Sequence, residues 1–388
     1  MTTHLNRILM LDLEHQHQPL QEKLQAAMQE VMLSGDYVLG QAVNEFEMAF
    51  ATACGVDYGI GVGSESDAIT LGLHGCGIGA GDEVLLPAHL PIATLLGVVR
   101  SGATPVLVDC HLDTGLMDLV AAEKLITPKT RAIIPVHLYG QMVSPVQLLS
   151  LASTYDVMIF EDASQAPFAE RDGYRAGSVG MAASFSFHPT RNLSALGDAA
   201  MVVTREGIVA QTVRSLRNCG APRKHYHTDI GAQSRLDTLQ AAVLGVKLPY
   251  LPAWTNERQH LAQFYDQLLV PLLDQGILPL ENQCGTGHAY QSYVVRITQS
   301  CPLDRASMQM ELAAQGIQTL VHYPVPAYLQ PAFKYLGYPP ESFAHTELLC
   351  QEVLSLPLYP GLEQAQVQRV VDAIASLTRF SYSVEQHD

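Results

Sequence analysis

Charge is scarce in this sequence. Only 15% of its 388 residues are Asp, Glu, Lys or Arg, and 38 acidic side chains outnumber 22 basic ones, for a net charge of −16. No basic run occurs. Nothing offsets the phosphate charge of a nucleic acid or an anionic membrane, so neither is expected as a partner. Lysine is rare, found only at positions 23, 124, 129, 224, 247 and 334. No apolar stretch is long enough to span a bilayer. The opening MTTHLNRILMLDLEHQ lacks the charged-then-apolar pattern of a secretory leader, and a cytoplasmic protein is expected. The seven cysteines (54, 76, 110, 219, 284, 301, 350) are scattered, odd in number and without metal-ligand spacing, which predicts reduced thiols. Histidines cluster as HQH at 15–17 and HYH at 225–227 but never as H-E-x-x-H, so no metal site is expected. Internal repeats and low-complexity linkers are also missing.

What is present is apolar. Hydrophobic residues make up 48% of the chain, which suits a large buried core, a subunit interface, or both. Leu20, Leu24, Met28 and Val31 share one face of a predicted amphipathic helix. From about residue 58, short Val/Ile/Leu-rich strands alternate with helical stretches: YGIGVGS, DEVLLP, PVLVD, RAIIPVHL and VMIFED. This alternation predicts right-handed crossovers and an α/β class with a mainly parallel sheet. Asp109, His137 and Asp162 end strands, where open α/β sheets bind ligands. After residue 184 the pattern changes to short, antiparallel-type strands (ASFSF, AAMVVT), then a long helix over 235–250. The division expected is a large α/β domain over 1–250 and a smaller α+β domain over 251–388.

Seven blocks in order, GVGSESDAITLGL, FEDASQA, SFSFHPTRNLSALGDAAMVVT, RNCG, RLDTLQAA, VHYPVP and SLPLYP, resemble the DegT/DnrJ/EryC1/StrS family. Its members are mostly pyridoxal-phosphate enzymes that aminate nucleotide-linked keto-sugars or cyclitols. The resemblance implies the aspartate-aminotransferase-type fold (pyridoxal-phosphate fold type I), with a seven-stranded sheet and active sites shared across a homodimer. It also implies roles. Asp162 matches the aspartate that keeps the pyridine nitrogen protonated, and Gln165 the glutamine beside the ring hydroxyl. Ser186 matches a phosphate-binding serine, and His322 and Tyr323 match a block lining the substrate side.

The departures from the family pattern surround one ligand. Arg191 stands where the Schiff-base lysine belongs, and a guanidinium stays charged below a pH of about 12 and cannot supply a free amine. The phosphate loop, usually G-S-G-T-D-A, reads Gly63-Ser64-Glu65-Ser66-Asp67-Ala68. Glu65 either brings a carboxylate against a phosphate, at a cost of several kcal/mol for charges about 4 Å apart, or points to solvent on the helix dipole. Leu90 and Pro91 replace a threonine and an aromatic residue, so the ring-covering face looks absent. Pro167 and Cys219 replace histidines, and Gln233 replaces an asparagine that reaches the neighbouring subunit's phosphate site. Arg191 alone would suit a laboratory substitution that traps an intermediate; a cluster of changes points to natural rebuilding.

Three readings follow. In the first, pyridoxal-phosphate chemistry is lost and Arg191 holds an anionic ligand, with Asp162, His188 and Asp198 as acid–base groups for a cyclisation, elimination or isomerisation. In the second, pyridoxal or pyridoxamine phosphate binds without a covalent lysine for aminotransferase or dehydratase chemistry, or Lys224 substitutes. In the third, the protein binds a small molecule or a partner without catalysis.

Overall fold

The computed structural model describes residues 7–380; the outermost ends of the two expected domains, 1–6 and 381–388, lie outside the described residues. Seven strands form the main sheet: β1 (Tyr58–Val62), β2 (Glu83–Pro87), β3 (Thr104–Val108), β4 (Thr130–Ile133), β5 (Met158–Asp162), β8 (Ala182–Ser186) and β9 (Ala200–Thr204). A two-stranded ribbon, β6 (Glu170–Arg171) and β7 (Tyr174–Arg175), lies between β5 and β8 in the chain. The spatial order is β1-β9-β8-β5-β4-β2-β3.

The predicted parallel sheet is therefore present, with one correction. Strand β8 runs parallel to β5, and β9 alone runs against both of its neighbours, β8 and β1. The connection from Ser186 to Ala200 holds no helix to cross the face of the sheet, and it returns the chain as an antiparallel neighbour. Strand β8 and strand β9 are buried throughout, as strands covered on both faces must be. The predicted helix over 235–250 is present with shorter bounds. Thr238–Lys247 ends in a tight turn over Leu248–Tyr250, and a new helix runs Leu251–Leu269, because Pro249 and Pro252 cannot continue the hydrogen-bond ladder.

The helix at residues 20–33 forms as Gln21–Ser34 and buries Leu24 and Val31. Two glycines set the position of the helix Glu65–Gly75. A Cβ at Gly72 would come within 2.5 Å of the Phe160 ring on β5, and one at Gly97 within 2.6 Å of Ile69. The helix thus lies unusually close to the strand that ends in Asp162. The apolar residues separate into two clusters. The larger follows the main sheet. The second joins helix Leu251–Leu269 to the antiparallel strands β10 (Ile277–Pro279), β11 (Tyr293–Ile297) and β12 (Val353–Leu356), and to helices Arg305–Ala314 and Gln364–Phe380. Ile8, near the start of the chain, packs in this second cluster and bridges to Ile317. No helix among the described residues is long and apolar enough to cross a membrane.

Candidate active site at the carboxyl ends of the strands

Strand β8 ends at Ser186, and the chain then turns sharply. The Arg191 amide donates to His188 O (2.8 Å) and the Ala195 amide to Phe187 O (2.8 Å). Asn192 Nδ2 donates to Ala289 O (2.8 Å), and Gln291 Nε2 donates to Thr190 O (2.7 Å), so the turn is clamped to the segment before β11. From this fixed turn the Arg191 side chain reaches Glu65, with Nη2 2.6 Å from Oε2. The two side chains are 13% and 10% exposed. Glu65 opens the helix Glu65–Gly75, whose end is capped by Ser64 Oγ accepting from the Asp67 amide.

The solvent reading of Glu65 does not survive, because its carboxylate is buried against Arg191 at the helix start. Two departures 126 residues apart in sequence are thus one ion pair. Burial works against the charge on Arg191. Glu65, with Tyr323 and Asp162 behind it, more than offsets this and holds the guanidinium above its ordinary range.

Asp162 closes β5 and is buried, with Oδ2 accepting from Thr94 Oγ1 (2.6 Å) and Oδ1 from the Ser164 amide (3.1 Å). Burial and then the charge of Glu65 push its pKa up, against the pull of these donors. Gln165 Oε1 accepts from the Tyr139 amide (2.7 Å), and its Nε2 donates to the Tyr323 hydroxyl (3.0 Å). His322 is held through Nδ1 by Ser355 Oγ (2.9 Å); burial and then Arg191 push its pKa down to about 4, so the ring is neutral near pH 7. Arg191, Gln165, His322, Tyr323 and Arg258 line one cavity of about 100 Å³. That is below the roughly 300–1,000 Å³ usual for ligand pockets.

The structure brings together Arg191, Glu65, Asp162, Gln165, His322 and Tyr323. Ser64 and Ser66 sit beside them at the helix start, where Ser66 Oγ accepts from Arg100 (3.2 Å), and Ser186 lies buried under the turn. Leu90 and Pro91 are buried; Pro91 only precedes the helix Ile92–Arg100. The others lie apart. His188 is exposed with its Nδ1 on Thr190 Oγ1 (3.0 Å), and Asp198, Lys224 and Gln233 are exposed as well. Two strand-end candidates are structural. Asp109 binds the Thr346 amide and hydroxyl, and His137 pairs with the wholly buried Glu161, which also holds the amides of Gly177, Val179 and Gly180. Three contributors had no marker in the sequence: Thr94 on Asp162, Tyr139 on Gln165, and His89, whose Nε2 lies 2.8 Å from the Tyr139 hydroxyl. Only nearness to strand ends could have flagged them.

Pyridoxal phosphate meets this site unevenly. Asp162 and Gln165 suit its ring. Arg191 offers no amine to its aldehyde, and Glu65 presents a carboxylate at the helix start where its phosphate would need donors. Buried polar atoms without partners collect here too, among them Glu65 Oε1, Arg191 Nε and Ser164 Oγ. The residues present do not fit a covalently held pyridoxal phosphate.

The chain is similar to known proteins over nearly its whole length. It is 41% identical to the dTDP-3-amino-3,4,6-trideoxy-alpha-D-glucose transaminase of Streptomyces venezuelae over 95% of both chains. It is 39% identical to a protein of Geobacillus stearothermophilus named a pleiotropic regulatory protein, covering 95% of this chain and 98% of that one. The crystal structure of S. venezuelae DesV with a ketimine intermediate superposes with a TM-score of 0.91 at 40% identity, over 98% of this chain and 100% of the other. The fold is thus the α/β fold of type I pyridoxal-phosphate enzymes, and relatives such as the S. venezuelae transaminase are sugar aminotransferases. Residues 18–375 match the model of the DegT/DnrJ/EryC1/StrS aminotransferase family, and the chain belongs to that family.

Proposed function

We propose that this aminotransferase-fold enzyme works in nucleotide-sugar biosynthesis, binding a nucleotide-linked sugar over Arg191, and that it does so without a lysine-linked cofactor cycle. The substrate class is supported by the named activity of the S. venezuelae relative. The observation that carries the second half is the Arg191–Glu65 pair at 2.6 Å. In this reading Arg191 is a fixed donor for an oxygen of the sugar. His322, neutral and oriented by Ser355, has Nε2 left to accept or return a proton in the same cavity. Asp162, whose pKa burial and the charge of Glu65 push up, is the complementary acid. Such groups suit an elimination, isomerisation or cyclisation.

Amino transfer with pyridoxal or pyridoxamine phosphate held non-covalently is the second reading. The relatives' activity favours it, as does the retention of Asp162, Gln165 and Ser186. A homodimer belongs to both readings, since it gives the exposed Lys224 and Gln233 a partner's site to enter. One experiment separates them. The purified protein is incubated with a dTDP-linked keto-sugar, with and without pyridoxal phosphate and glutamate, and products are identified by mass. Loss of water or an isomer without cofactor supports the first reading. An amino-sugar formed only with glutamate and cofactor supports the second. Saturable sugar binding with no product leaves a binding protein.

A further inference from the structure

We infer that Glu65 and Arg191 are one coupled element, such that a lysine restored at position 191 becomes an effective amine nucleophile when Glu65 is also removed and a much slower one while Glu65 remains. The inference deepens the reading above and rests on it.

Glu65 occupies the first position of an eleven-residue helix, where the aligned peptide dipoles favour a negative charge. Its carboxylate is nine-tenths buried and bonded to Arg191. Asp162, the other carboxylate of the site, already feels Glu65 as a like charge. Arg191 is bonded to Glu65 and interacts favourably with both carboxylates. This explains why a permanently charged side chain stands there.

The same geometry predicts what a simple reversal would do. Lysine in place of arginine keeps the cation, and Glu65 would stabilise its ammonium form. Schiff-base formation needs the neutral amine: nitrogen attacks the aldehyde carbon, the C=N bond forms, and the aldehyde oxygen leaves as water with both amine protons. Each pKa unit by which Glu65 raises the ammonium lowers the neutral fraction about tenfold. The carboxylate also repels a dianionic phosphate approaching the same helix start. The pair of substitutions thus disables the site twice.

The test compares wild type, Arg191→Lys, Glu65→Gln and the Glu65→Gln/Arg191→Lys double variant, each incubated with pyridoxal phosphate and then borohydride. Peptide mass mapping reads the pyridoxyl label at position 191. Circular dichroism checks that each protein is folded, and Glu65→Gly/Arg191→Lys serves if the first double variant is not. The expected result is label at position 191 in the double variant at least about tenfold faster than in Arg191→Lys alone, with none in wild type or Glu65→Gln. Equal labelling of Arg191→Lys and the double variant would overturn the coupling and leave the reading of the preceding section standing. Absence of label from a folded double variant would overturn it as well. Label on a lysine of wild type would instead overturn the underlying reading.

Discussion

Two buried arginine–glutamate pairs lie close to strand β1, and they differ in what surrounds them. Arg217 and Glu47 close on Gly61 of the strand. The Gly61 amide donates to Glu47 Oε1 (2.8 Å), Arg217 Nη1 donates to Gly61 O (2.7 Å), and the same nitrogen bonds Glu47. Among the described residues, no buried polar atom of that pair lacks a partner. Arg191 and Glu65, just beyond the strand's end, share one bond and leave Nε and Oε1 unpartnered, and Arg191 lines a cavity. The first pair fastens the strand. The second is partly unsatisfied in the place where ligands bind in this fold, and an incomplete hydrogen-bond set in a buried site is more informative about function than a complete one.

The comparison can be broken from the larger effect to the smaller. Arg217→Ala should cost about 3–5 kcal/mol of stability, because it leaves Glu47 buried and unpaired; chemical denaturation reads this directly. Gly72→Ala should cost about 1–3 kcal/mol, since its Cβ would press on the Phe160 ring. Glu65→Gln should cost less than Arg217→Ala, about 1–2 kcal/mol, because the amide still accepts from Arg191 and the cavity admits water. A loss as large as that of Arg217→Ala would show that the 191–65 pair is scaffold too.

Acid sharpens the account further. Burial pushes His89 and His322 down to about 4 and His288 to about 3, from an ordinary 6.5. A depressed folded value means that the unfolded chain binds more protons below pH 6.5. The stabilisation is therefore complete above that pH and lost as pH falls toward 4, with a slope of at most about 4 kcal/mol per pH unit for three protons. Asp162 opposes this. Its raised value favours the fold below the ordinary carboxylate range and withdraws that contribution as pH rises through the shifted value. Denaturation midpoints between pH 7 and 4 should fall steeply, and His322→Gln should flatten the fall by about one proton.

The sequence made some of this legible. Val/Ile/Leu runs with helical spacers marked the parallel strands, and the strand-end position and motif context of Asp162 marked it as a candidate site residue. The antiparallel run of β9 was expected from the sequence, but the parallel pairing of β8 with β5 was not legible, because an apolar strand reads the same from either end. Glu65 and Arg191 both stood out in the sequence, but their pairing did not. No local pattern joins positions 65 and 191, and only the fold shows that one carboxylate and one guanidinium meet. Thr94 was invisible for the same reason, as its hydroxyl matters only once it reaches Asp162. The helix expected over 235–250 differs only in its bounds, tightening into a 3-10 turn at Leu248–Tyr250, where Pro249 stood in the sequence as a visible break.

The central claim is that this site no longer links a cofactor through a lysine. The most direct measurement is the visible spectrum of the wild-type protein titrated with pyridoxal phosphate, followed by borohydride and peptide mapping of all six lysines. Lys247 is one to watch: burial pushes its pKa down to about 8, although His17 and Ser194 occupy its amine. The account predicts no saturable band that borohydride makes permanent and no specifically pyridoxylated peptide. A stoichiometric label at Lys224, Lys247 or any other lysine, formed at the same site that binds the sugar, would contradict it.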